Sequence, residues 1–250
     1  MKRLRALAFT GAFYVVTTLF ALPTVFLLAL PRRATVDYAR LWVAAILWLL
    51  ARIVGLRHVV RGMDTLPAGP AIIAAKHQSA WDTLALFALF DDPAIVVKRE
   101  LTWIPLFGWC LLRAGMVPVD RAGGAAALRR LVAAAKRRAA DGRSILVFPQ
   151  GTRTPPGAAR PYQPGIAALY AALGLPAVPV ALDSGLFWPR RSILLEPGTI
   201  EVEILPAIPP GLDRRAFMAR LEGAIEPATA RLEAGALAAR RDGAAVASGR

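Results

Sequence analysis

The sequence predicts a mixed, mainly parallel α/β sheet covered by helices and preceded by a membrane-associated hairpin of two helices. Three observations carry that expectation. The chain has 250 residues, room for one ordinary core with its attachments but short for two independent domains. A long charge-free run lies close to the N-terminus. From Arg57 onward the texture changes to short apolar runs punctuated by Gly and Pro, alternating with helical stretches.

Lys2, Arg3 and Arg5 precede the first element, a charge-free run of 26 residues from Ala6 to Pro31, long enough to cross hydrocarbon as a helix. It exceeds the apolar region of a signal peptide and lacks a small-x-small cleavage site, so an anchor is the better reading. Arg32, Arg33 and Arg40 then interrupt, and Leu41 to Ala51 is apolar for only 11 residues, too short to span. Trp42 and Trp48 sit near its ends like interfacial aromatics. Together the runs suit a hairpin dipping into one leaflet, giving a first unit over residues 1–56.

Residues 57–233 form the expected α/β unit. Its strands are predicted at His58 to Arg61, Ala71 to Ala75, Ala94 to Lys98, Met116 to Val119, Ser144 to Phe148, Ala177 to Ala181, Ser192 to Leu195 and Thr199 to Ile204. Its helices are predicted at Ala80 to Phe90, Pro105 to Ala114, Gly123 to Ala140, Pro164 to Ala172 and Arg214 to Glu233. Pro179 marks its strand as a sheet edge or a wall. Residues 234–250, mostly Ala, Gly and Arg without apolar periodicity, read as a disordered tail.

Composition narrows the function classes. The chain is 56% hydrophobic and 19% charged, which excludes general disorder. A net charge of +14 implies anionic partners, and the apolar bias favours anionic membrane lipid over nucleic acid. One Cys excludes an intramolecular disulfide, and two His leave little room for zinc, so no metal is expected. None of the serines stands in Gly-x-Ser-x-Gly, which argues against a serine hydrolase.

The most informative segment runs from Lys76 to Asp82, where His77 precedes Asp82 by five positions at a strand-to-helix junction. Two residues five apart within a helix point about 140° away from each other, so His77 must lie before the helix. Asp82, in the first helical turn, can then fix the imidazole tautomer and leave the other ring nitrogen as a general base. Ser79 and Asp82 also fit a capping box, which explains both of them but leaves His77 idle. A second segment, Phe148 to Thr154, follows a buried strand, where a parallel sheet presents its ligand edge. There Gly151 allows close backbone approach, Thr152 offers a hydroxyl and Arg153 a bidentate phosphate donor. Arg121, ending the strand that follows Gly115, could join Arg153 on one phosphate.

In this order the segments resemble the 1-acyl-sn-glycerol-3-phosphate acyltransferase family over roughly Arg57 to Leu205. The family's histidine, four residues, aspartate motif matches His77 and Asp82, and its glycine with an arginine six positions later matches Gly115 and Arg121. Its Phe-Pro-Glu-Gly-Thr-Arg motif matches Phe148, Pro149, Gly151, Thr152 and Arg153, and its Val-Pro-Val strand matches Val178 to Val180. Three positions depart from the pattern. Gln150 stands for the usual Glu, Lys76 for the usual Asn, and Gln163 where many members carry Lys.

The resemblance implies acyl transfer from a thioester, on coenzyme A or an acidic acyl carrier protein, to the sn-2 hydroxyl of 1-acyl-sn-glycerol-3-phosphate, with no further cofactor. His77 and Asp82 would be catalytic, and Lys98, Arg121, Gln150, Gly151, Thr152 and Arg153 would contact substrate. Cys110 lies in an apolar helix and reads as packing, not as a nucleophile. The expected location is the membrane, with the catalytic unit facing the cytoplasm. Another lysolipid acceptor, such as lyso-ornithine lipid, is the alternative within the family, and a non-catalytic phosphate- and membrane-binding protein is the alternative outside it.

Overall fold

The computed structural model describes residues 2–248, with side chains described as far as 242. Seven strands form one sheet in the order β1-β7-β6-β2-β5-β3-β4. They are β1 (Leu56–Arg61), β2 (Ile72–Ala75), β3 (Ala94–Lys98), β4 (Val117–Val119), β5 (Ile145–Val147), β6 (Ala177–Leu182) and β7 (Gly198–Ile204). Every neighbouring pair is parallel except β6 with β7, so the sheet is mixed and mainly parallel, as expected. β2, β5 and β6 are buried along their whole length, which their unbroken apolar sequences dictate for strands covered on both faces.

The helices are α1 (Lys2–Ala21), α2 (Thr24–Leu27), α3 (Arg32–Leu49), α4 (Ala80–Leu89), α5 (Phe107–Arg113), α6 (Gly124–Ala140), α7 (Pro164–Leu173) and α8 (Arg214–Ser248). One face of the sheet packs on α4 together with Phe9 of α1 and Val36, Val43 and Ile46 of α3. The other packs on α6, α7 and the start of α8, through Leu131, Ile166, Leu169, Phe217 and Leu221. The N-terminal helices therefore share the core of the catalytic unit.

Four expectations are corrected. The arginines read as separating the two apolar runs lie inside α3, which a π turn at Leu50–Val54 extends. The whole stretch Arg32–Val54 has 23 residues, and it and α1 are both long and apolar enough to cross a membrane by length and composition. The charges are tolerated because Arg32 makes a bidentate pair with Asp92, at 2.9 and 2.7 Å, and Arg40 donates to the carbonyls of Ala88 and Phe90. Ser192 to Leu195 is irregular, since Pro189 and Pro197 flank it and the Ser192 hydroxyl engages both the N–H and the carbonyl of Leu194.

β6 is interior, not an edge. The Pro179 carbonyl accepts from Leu205 N–H just where β7 ends, so the N–H that proline lacks falls where the ladder opens. Finally, the stretch from Ala234 continues α8 as far as Ser248; residues 249–250 of the expected tail lie outside the described residues. Its Ala and Arg are good helix formers, and Arg240 anchors it by donating to Leu186 O and lying 4.5 Å over the Phe187 ring.

Candidate active site

Strand order gathers the sequence motifs along one edge. The chain leaves β6 toward Ser184, β2 toward His77, β5 toward Phe148–Arg153, β3 at Lys98 and β4 toward Arg121, and these strands are parallel neighbours in that order. All five segments thus emerge at the carboxyl ends of the strands, where open α/β sheets bind ligands. At about 4.8 Å per strand, Arg121 stands roughly 14 Å along the edge from His77.

His77 lies in the turn before α4, and its Nδ1 is 2.9 Å from Asp82 Oδ2. Asp82 is fully buried and the His77 side chain 13% exposed. The same carboxylate oxygen accepts the N–H groups of Gln78 at 2.7 Å and Ser79 at 2.8 Å, while Ser79 Oγ accepts from Trp81 N–H as helix cap. The capping box and the His77–Asp82 pairing therefore coexist, because one carboxylate both caps α4 and meets the imidazole. The ring stacks on Phe148 at 4.0 Å between centroids, which fixes its plane. In a neutral imidazole whose Nδ1–H donates to Asp82, Nε2 carries the lone pair. Ser184, which sequence reasoning missed, completes the arrangement: buried at the end of β6, it donates its hydroxyl to Asp82 Oδ1.

The loop after β5 turns tightly. Gly151 N–H bonds to Phe148 O at 2.9 Å, and Gly151 has φ +67°, a conformation that penalises any side chain. Thr154 N–H then donates to His77 O at 2.8 Å, locking the loop against the histidine turn. Arg153 is half-buried and Arg121 exposed, and among the described residues neither guanidinium is tied into an ion pair. Lys98 is exposed and pairs with Glu100 at 3.2 Å. Gln150 is placed differently from the expectation that it contacts substrate. It is buried, its amide donating to Glu226 and its carbonyl accepting from His77 N–H at 3.4 Å, so it supports the loop.

The Gly115 to Arg121 motif spans the sheet. Gly115, before β4, has φ +74°, and a Cβ there would lie 2.6 Å from Arg143 Nη1. Arg143 is buried and donates to the carbonyls of Asp92, Ala114 and Gly115, so the glycine serves structure at one end of β4 while Arg121 lies past the other. Between the N-terminal helices and α4, β3 and α5 lies an apolar cavity of about 380 Å³, lined among others by Phe20, Trp42, Phe87, Ile95 and Met116. Thr83 and Leu84 also line it, immediately after Asp82. Burial pushes the Cys110 thiol up, away from the nucleophilic thiolate.

The chain belongs to the acyltransferase family, whose model matches residues 57–183. It is 37% identical over 163 residues to the 1-acyl-sn-glycerol-3-phosphate acyltransferase of Pseudomonas aeruginosa, covering 65% of this chain and 63% of that one. It is 30% identical over 152 residues to a chloroplastic 1-acyl-sn-glycerol-3-phosphate acyltransferase of Brassica napus, covering 58% and 43%. The chain thus spans less than two thirds of the length of these relatives. The crystal structure of the 1-acyl-sn-glycerophosphate acyltransferase of Thermotoga maritima shares the fold, with a TM-score of 0.76 over 93% of this chain and 97% of that one at 23% identity.

Proposed function

We propose that this protein transfers an acyl group from a fatty acyl thioester to the sn-2 hydroxyl of 1-acyl-sn-glycerol-3-phosphate, giving phosphatidic acid. One observation carries the reading: His77 Nδ1 lies 2.9 Å from a fully buried Asp82, leaving Nε2 without a partner among the described residues. Nε2 takes the proton of the acceptor hydroxyl as its oxygen attacks the thioester carbonyl. The carbon–sulfur bond breaks, and the departing thiolate recovers the proton from the imidazolium. The donor is acyl-coenzyme A or acyl carrier protein, and no further cofactor takes part.

Arg121 and Arg153 receive the acceptor phosphate, with Lys98 beside them, Gly151 leaving room for the ligand and Thr152 offering its hydroxyl. The apolar cavity beside Asp82 receives an acyl chain. Membrane attachment follows from α1, where Leu4, Leu7, Tyr14, Val15 and Leu19 are all exposed, and from Trp103, Ile104, Phe107 and Trp109 of the catalytic unit. The +14 charge adds attraction to anionic lipid and to an acidic carrier protein, and the catalytic unit works on the cytoplasmic side.

The test is acyl transfer by the purified chain in vesicles, offering lysophosphatidic acid and lyso-ornithine lipid with both thioester donors, beside His77→Ala. Phosphatidic acid formation abolished in the variant supports the proposal. Transfer to the ornithine lipid alone keeps the mechanism and changes the acceptor, and no transfer at all leaves a phosphate-binding protein on an acyltransferase scaffold.

A further inference from the structure

Each of the two residues flanking His77 is tied to a carboxylate of α8. Lys76 and Gln78 are 2% and 0% exposed. Lys76 Nζ lies 2.5 Å from Glu226 Oε2, and Gln78 Nε2 donates to Glu233 Oε1 at 2.6 Å. Glu226 and Glu233 are seven residues apart, which places them within about 20° of each other on one helix face. The second oxygen of each reaches the loop that follows β5. Glu226 Oε1 accepts from Gln150 Nε2 at 3.3 Å and Tyr162 OH at 2.8 Å, and Glu233 Oε2 accepts from Gly157 N–H at 2.9 Å. Gln78 Oε1 in turn accepts from Gly185 N–H at 3.0 Å, next to Ser184.

We infer that Glu226 and Glu233 are positioning residues, a two-carboxylate clamp by which α8 holds the turn carrying His77 against the loop carrying Phe148 and Gln150. The inference rests on the proposed acyl transfer and adds residues that touch no substrate. It also accounts for two departures from the family pattern. A lysine ammonium buried at position 76 requires a counter-charge, and Glu226 supplies it. With that carboxylate in place, position 150 must donate a hydrogen bond, which an amide does and a carboxylate does not. Glutamate at 150 would set two carboxylates about 3.3 Å apart, where both cannot hold their charge.

The test compares Gln150→Glu, Glu233→Ala and the triple variant Lys76→Asn/Gln150→Glu/Glu226→Gln in the full chain. Acyl transfer is followed in mixed micelles, and the 15N-labelled imidazoles of His77 and His58, the chain's two histidines, by NMR. Each single variant lowers kcat at least tenfold with KM for lysophosphatidic acid changed less than twofold, and it shifts or broadens the His77 signals but not those of His58. The triple variant removes the buried ammonium together with its counter-charge and restores the family pattern at positions 76 and 150, so kcat returns to within about threefold of the wild type. Wild-type kcat and His77 signals in Glu233→Ala would overturn the clamp, as would a triple variant no better than Gln150→Glu. So would losses confined to thermal stability. A wild-type chain that transfers no acyl group would refute the proposed function, while the His77 signals would still report on the clamp.

Discussion

Ser184 lies 102 residues beyond Asp82 in the chain, yet its buried hydroxyl donates to Asp82 Oδ1 while His77 engages Oδ2. The carboxylate is held from both sides. Ser184→Ala leaves Oδ1 with an unmet lone pair in a dry site, a loss of about 1–3 kcal/mol in stability. A less firmly held Asp82 orients the ring less well, so kcat falls by about 3- to 10-fold with KM unchanged. Paired thermal melts and initial rates check it, and an unchanged kcat would confine Ser184 to folding.

His77→Ala removes the base outright and lowers kcat by about 10²- to 10⁴-fold, with the fold retained because the turn keeps its backbone bonds, among them Thr154 N–H to the residue-77 carbonyl. Asp82→Asn behaves differently. An amide oxygen at 82 can still face the three donors that converge on Oδ2, but it lacks the negative charge that strengthens those bonds and stabilises the imidazolium, so the variant weakens helix capping and imidazole orientation together. Rates fall by about 10²-fold or more and the melting temperature drops, a combination that His77→Ala does not show.

How much of this site the sequence discloses follows from distance along the chain. His77 and Asp82 are five residues apart, and the geometry of one strand-to-helix junction suffices to pair them. The strands that bring Phe148 and Arg121 to the same edge are legible as apolar runs bounded by Gly and Pro. Ser184, Glu226 and Glu233 are not legible, because a serine and two glutamates more than a hundred residues away carry no local signature and gain their meaning only from strand order and the seat of α8. The same holds for α3: Arg32 breaks an apolar pattern in sequence, and only the fold shows the Asp92 carboxylate that satisfies it.

Asp183, at the end of β6, makes stability depend on pH. Burial pushes its carboxyl up to about 7, only partly offset by the Glu201 N–H that it accepts at 2.9 Å, and its Oδ2 has no partner among the described residues. The folded state thus binds this proton more tightly than the unfolded chain, whose carboxyl titrates near 3.9. Its contribution to stability is fully present below about pH 4 and is lost as pH rises toward 7, to the extent of roughly 4 kcal/mol. Asp183→Asn cannot titrate and flattens that slope. Denaturant unfolding at pH 5 and pH 8 measures the difference, and equal slopes in the two proteins would refute the assignment.

Two arginines 22 positions apart should separate binding from folding. Arg121 is exposed at the carboxyl end of β4 and bonds to nothing else among the described residues. Its loss leaves stability within about 0.5 kcal/mol of the wild type. If it holds the acceptor phosphate, the lost charge-assisted hydrogen bonds are worth about 1.5–3 kcal/mol, so Arg121→Ala raises KM for lysophosphatidic acid by about 10- to 100-fold. Arg143 is buried at the opposite end of the strands, pairs with Asp92 at 3.2 Å and donates to the carbonyls of Asp92, Ala114 and Gly115. Arg143→Met fills similar space but orphans those acceptors and removes a charge partner of Asp92, a cost of about 3–5 kcal/mol. Molecules that still fold keep their KM, because nothing at the ligand edge has moved. Steady-state kinetics and urea unfolding on both variants decide the matter: a KM effect in Arg143→Met, or a stability effect in Arg121→Ala, would show that the two ends of the sheet are not independent.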